Sequence, residues 1–335
     1  MAREAREAPD AVRAQLAGNR DAVAHLAGIL REFRPRAVVT CARGSSDHAA
    51  TFAKYLIETR TGLLTSSAAP STASVYGSKA ELRSVLFLAI SQSGASPDLL
   101  AAAAAARNSG ALVVAIVNAE GSPLARVAQH CLPLRAGTET SVAATKSYIA
   151  ALAAIVHLVA VWTGDRDLQE ALAALPDALA RARDLDWDAA IEPLQAASSL
   201  YVVSRGLGLG IAQEAALKFK ETCGLHAEAF SAAELKHGPM ALVEDGFPVM
   251  IFAQHDETHA GLLGLAAELG RMGAKVLLAG GSAPGAATLP AERSDSAIEP
   301  ILMIQSFYPL ANALAIARGR NPDQPPHLHK VTETL

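Results

Sequence analysis

The densest chemistry in this chain lies over residues 214–239, EAALKFKETCGLHAEAFSAAELKHGP. On a helix Glu214, Lys218 and Glu221 fall at i, i+4 and i+7 and share one face. A carboxylate beside an ammonium, on an otherwise apolar helix that follows a glycine-rich turn, is suited to shuttling a proton. The plain alternative is a surface ion-pair ladder. His237 stands before Gly238-Pro239 and so belongs to a turn, with a buried, satisfied imidazole as its alternative.

A second segment, LFLAISQSGASPDLL, offers hydroxyls instead of charges. A buried strand ends at Ile90, and Ser91, Gln92, Ser93, Gly94, Ala95 and Ser96 follow. Pro97 suits the first position of a helix and Ser96 its N-cap. The serines therefore sit where the free amides and positive dipole end of a helix point, which favours a phosphate. A well-capped serine turn is the plain alternative. Residues Arg43-Gly44-Ser45-Ser46-Asp47 repeat the arrangement of strand, hydroxyls and helix, and bring Ser45 and Ser46 to an equivalent edge.

Other patterns are excluded. His226-Ala-Glu228 resembles the opening of a zinc deaminase signature, but no Pro-Cys-x-x-Cys partner accompanies it, so no metal site is expected. Gly206-Leu-Gly208-Leu-Gly210 lacks GxGxxG spacing, so it predicts a close helix–strand approach and no dinucleotide cofactor. A formal charge of −4 leaves no basic footprint for nucleic acid. The three cysteines, Cys41, Cys131 and Cys223, are odd in number and far apart, which fits a reducing cytoplasm. The N-terminal segment is charged and has no apolar signal core. The longest apolar run, 149–162, is too short to span a bilayer and reads as a buried helix, so no membrane partner is expected.

These loops need a scaffold. The 335 residues, at about 150 per domain, predict two domains. Apolar residues make up 51% of the chain, enough for a large core. Apolar β-type runs at 37–41, 85–90, 112–118, 200–204, 249–253 and 275–279 alternate with Ala-rich helical stretches such as 98–107 and 258–271. That rhythm predicts an α/β fold with parallel sheets. A weak internal repeat, VVTCARGS at 38–45 and YVVSRGLG at 201–208, marks a second copy of the same unit. The predicted boundaries are an N-terminal domain with a leading helix over 1–166 and a second domain with connector helices over 167–318. A Pro-rich extended tail follows over 319–335.

SQSGAS, AGTETSVAATKSY, EAALKFKET, HAEAFSAAELKHGPMAL and HKVTETL, in this order, resemble the sugar isomerase (SIS) domain family, in particular the isomerase half of glucosamine-6-phosphate synthases. The resemblance covers essentially the whole chain. It implies two tandem flavodoxin-like, doubly wound domains. It also implies that Ser45, Ser46, Ser91, Gln92, Ser93 and Ser96 hold a sugar phosphate, and that Glu139 and Val142 line the sugar. Glu221 is expected to move a proton between C1 and C2 with Lys218 beside it, and His237 to open the ring from the neighbouring subunit of a homodimer. Lys330 is expected to form a Schiff base with the open-chain ketose, with the tail reaching the site.

Ser96 stands where Thr is more usual, and Ala144 where the synthases have Ser. No glutaminase part is visible, and residue 2 is Ala rather than the nucleophilic Cys. The expected activity is therefore that of a glucosamine-6-phosphate deaminase. A fructosamine-6-phosphate deglycase, another amino sugar phosphate isomerase and a non-catalytic phosphosugar sensor are the alternatives.

Overall fold

The computed structural model describes residues 1–328 and 330. The chain divides into two compact units. One comprises Asp10–Thr140 and Lys146–Ala173 together with Lys330; the other comprises Met1–Pro9, Ser141–Thr145 and Ala174–Leu328.

The first unit is built on a five-stranded sheet of β1 (Ala37–Cys41), β2 (Thr65–Ser67), β3 (Val85–Ser91), β4 (Leu112–Val117) and β5 (His130–Pro133), in the order β2-β1-β3-β4-β5. Every neighbouring pair is parallel. Strands β3 and β4 are buried along their whole length, which is why their sequences, VLFLAIS and LVVAIV, are continuous apolar runs rather than alternating ones. Helices Ser45–Thr61 and Pro97–Asn108 leave the carboxyl ends of β1 and β3.

The second unit repeats the plan with β6 (Ser199–Ser204), β7 (His226–Ser231), β8 (Pro248–Phe252), β9 (Lys275–Ala279) and β10 (Ala286–Leu289). Its order is β10-β9-β8-β6-β7, again all parallel, which is the first sheet's order read from the other edge. This 2-1-3-4-5 arrangement is the flavodoxin-like doubly wound fold. Its ligand crevice opens where the winding reverses, between the first and third strands of each sheet. The helix Leu209–Cys223 carries the 214–221 face and packs on β6 and β7.

The six sequence-predicted strands are β1, β3, β4, β6, β8 and β9, within one or two residues at their ends. The apolar run at 149–162 lies in a longer helix, Lys146–Thr163, because Lys146, Ser147 and Tyr148 extend it and are themselves buried. That helix and Glu299–Ala317 are long and apolar enough to cross a membrane, and 78% and 72% of them are buried inside the protein. The rest of the HKVTETL segment around Lys330 lies outside the described residues.

Candidate active site

In the first unit the crevice between β1 and β3 is edged by the two serine loops. Ser91, at the end of β3, is buried, and its Oγ accepts the Gly94 N–H at 2.9 Å. Ser93 Oγ accepts the Ala95 N–H at 3.3 Å. Gly94 must be glycine: its φ is +60°, and a Cβ there would strike Ser122 and Val117. The next loop holds this one from behind, with the N–H groups of Ala119 and Leu124 donating to the carbonyls of Gln92 and Gly94 at 3.3 and 3.0 Å. Ser96 caps the Pro97–Asn108 helix by its backbone, at φ −62° and ψ 122°, but its hydroxyl makes no cap bond. Pro97, which has no N–H, occupies the first turn as expected, and the Leu99 N–H donates to Asp98 Oδ1 at 2.7 Å, so the half-buried hydroxyl of Ser96 is what this turn offers an anion.

The β1 loop enters its helix through Gly44, at φ +55°, and Ser45 and Ser46 form the first turn, both half-buried. Arg43 ties the two loops together: its Nε and Nη2 donate to Asp98 Oδ2 at 2.9 and 2.7 Å.

The same unit brings Lys330 to Glu139, Nζ to Oε2 at 3.2 Å. Glu139 is buried and fixed by Ser147, whose backbone N–H and Oγ donate to its two carboxylate oxygens at 3.2 and 2.6 Å. Asn118, at the end of β4, holds the segment leading to Glu139. Its Nδ2 donates to the Gly137 carbonyl at 2.8 Å and its Oδ1 accepts the Ala136 N–H at 2.9 Å. Neither Asn118 nor Ser147 gave a sequence signal, because each acts across a loop closed by the fold.

The second unit holds the charged group. Lys218 is fully buried and lies 3.2 Å from Glu214 Oε1 and 2.6 Å from Glu221 Oε2. The Tyr308 hydroxyl donates to Glu214 at 3.4 Å. The 214–221 face is therefore a buried triad and not a surface ladder. Burial pulls the Lys218 pKa down, but the two carboxylates outweigh it and hold the ammonium above the ordinary lysine value. Lys218 is thus held as a cation, and Glu221 is the member of the triad that reaches solvent. That carboxylate is 18% exposed. It lines a cavity of about 370 Å3 with Leu217, Lys220, Arg320 and Leu328.

His237 follows the short helix Ala232–Lys236, is exposed on the Gly238 turn, and has no side-chain partner among the described residues. Val142 is half-buried in the Ser141–Thr145 segment of this unit.

The second sheet's own crevice is chemically different. Gln254 fills it: its Nε2 donates to the Arg205 carbonyl at 2.6 Å and to Asp256 at 2.9 Å, while its Oε1 accepts the Ser204 hydroxyl at 3.3 Å. Gly208 packs against Ser204 and Gln254 so closely that a Cβ would strike both, and Gly206 has a φ of +62°, which accounts for two of the three glycines at 206–210. The loop after β8 carries Asp256 and Glu257 where the first sheet has serines. A phosphate finds hydroxyls at one crevice and carboxylates at the other. Among the described residues no cluster of His, Cys, Asp and Glu is arranged to hold a metal.

The SIS domain family matches residues 33–161 and 194–282, one stretch in each half of the chain. A glutamine–fructose-6-phosphate aminotransferase (isomerizing) of Aeropyrum pernix is 36% identical over 307 residues, covering 86% of this chain and 49% of the relative. The corresponding protein of Methanothermobacter thermautotrophicus is 35% identical over 98% of this chain and 56% of its own length. The chain thus spans about half the length of these curated relatives.

Among solved structures, a Silicibacter pomeroyi protein assigned as a phosphosugar isomerase superposes with a TM-score of 0.93 at 44% identity, covering 96% of this chain and 99% of its own. The C-terminal domain of the Francisella tularensis glucosamine-fructose-6-phosphate aminotransferase gives 0.84 at 26% identity, over 96% and 97% of the two chains. With both halves matched and this topology in each sheet, the chain belongs to the SIS domain family.

Proposed function

We propose that this chain deaminates an amino sugar phosphate, converting glucosamine 6-phosphate and water to fructose 6-phosphate and ammonia. The observation that carries the reading is Glu221, a part-exposed carboxylate lining a cavity of about 370 Å3 and held by the buried ammonium of Lys218. Its second oxygen, Oε1, has no partner among the described residues and is free for substrate. In this reading the serine loops hold the phosphate and so fix the sugar, which supplies proximity. Glu139 and Val142 line the sugar chain.

The exposed imidazole of His237, acting on a second subunit's site, moves a proton from the anomeric hydroxyl to the ring oxygen and opens the ring. Glu221 then takes the C2 proton and delivers one to C1 through an enolamine. Water adds to the resulting C2 imine, the C–N bond breaks, and ammonia leaves. Lys330 becomes a nucleophile towards the open-chain ketone once its proton passes to Glu139, 3.2 Å away.

Each of these steps draws on residues of this chain, and none of them consumes glutamine. The names of the curated relatives favour a second reading, in which the same isomerisation runs from fructose 6-phosphate and ammonia to the amino sugar. The test is to incubate the protein with glucosamine 6-phosphate and follow fructose 6-phosphate and ammonia together. The expected result is release of both in equal amounts. Turnover only in the opposite direction selects the second reading, and no turnover in either direction overturns both.

A further inference from the structure

In the phosphate crevice one charged group has no role yet. Arg43 ends the β1 strand's run into its loop, and its guanidinium lies against Asp98, the second residue of the helix that Ser96 caps. Asp98 is 1% exposed, whereas the Arg43 side chain is 50% exposed. Two of the guanidinium's nitrogens, Nε and Nη2, share the single oxygen Oδ2, and Nη1 has no partner among the described residues. An aspartate in the first helical turn is favourable for the helix by itself, but its charge would repel a dianion bound at the same turn. Arg43 cancels that charge and still has N–H groups to donate. The second sheet supplies the contrast: Arg205 occupies the corresponding place after β6, but Asp256 and Glu257, in place of serines, edge its crevice.

We propose that Arg43 is a direct phosphate-binding residue, pinned by Asp98 with its outward N–H groups turned to the same phosphoryl oxygens as the serine hydroxyls. This rests on the phosphosugar reading above and narrows it: the site is built for a dianion, with a fixed guanidinium and not only neutral donors. The planar guanidinium suits a phosphoryl group because several N–H groups can donate at once.

The test uses the full chain and two probes, glucosamine 6-phosphate and inorganic phosphate, titrated by calorimetry into wild type, Arg43→Ala and the double variant Arg43→Ala/Asp98→Asn, with melting curves for each. Arg43→Ala is expected to bind both probes about 10- to 100-fold more weakly, the scale of a hydrogen bond to a charged partner. It is also expected to melt lower, because the buried Asp98 carboxylate loses the guanidinium that offsets its charge. The double variant removes that stranded charge, so its melting temperature is expected to return towards wild type while its affinity stays low. A double variant that binds both probes as tightly as wild type overturns the proposal and leaves Arg43 as a mere counter-ion of Asp98. Wild type that binds neither probe overturns the proposal together with the phosphosugar reading beneath it.

Discussion

Glu221→Gln is expected to lower kcat by about 10²–10⁴-fold, the usual contribution of a well-placed general base, with little change in KM. The substitution keeps the shape of the side chain and its position beside Lys218, so substrate binding has no reason to change. What disappears is an acceptor for the C2 proton. Lys218 cannot stand in, because its two carboxylate neighbours keep it protonated. The check is steady-state kinetics on glucosamine 6-phosphate. A loss under tenfold would remove Glu221 from the chemistry, whatever its position.

Lys218→Met is expected to cost about 3–5 kcal/mol of stability, as is usual when one partner of a buried ion pair is deleted. The magnitude follows from what remains. Glu214 is fully buried, its charge loses the ammonium 3.2 Å away, and Glu221 loses its anchor. Urea unfolding measures the cost, and Glu214→Gln added to Lys218→Met is expected to recover most of it because no buried charge then remains. A single variant as stable as wild type would mean that water reaches the triad.

The pair also sets a pH dependence. The folded Lys218 pKa lies above the ordinary 10.5, so its contribution is complete below 10.5 and is lost only as pH rises through the folded value. Stability from this group is therefore flat across the neutral range.

The six interior strands were legible because a parallel strand buried on both faces must be a continuous apolar run. The four strands without a sequence signal, β2, β5, β7 and β10, are the edges of the two sheets. Their sequences, TSS, HCLP, HAEAFS and AATL, are short or polar because one side meets solvent. Local sequence also revealed the serine loops, since a cap residue followed by proline after a buried strand is a local signal. It placed Glu214, Lys218 and Glu221 on one face but could not say whether that face was wet or dry. Burial of the face depends on Tyr308 and the Glu299–Ala317 helix, some 90 residues later, and is a property of the folded unit. The Arg43–Asp98 clamp is likewise long-range, and the Ser147 bonds to Glu139 close a loop of eight residues, with residue types common on any surface.

The most direct test of Glu221-driven proton transfer at C2 uses glucosamine 6-phosphate carrying deuterium at C2. Breaking the C2–H bond in a slow step predicts a primary isotope effect on kcat for wild type, with the deuterium divided between C1 of the fructose 6-phosphate formed and the solvent. The same measurement on Glu221→Gln is expected to show turnover about 10²–10⁴-fold slower. Ammonia released at equal rates from labelled and unlabelled substrate, with Glu221→Gln as fast as wild type, would contradict the account.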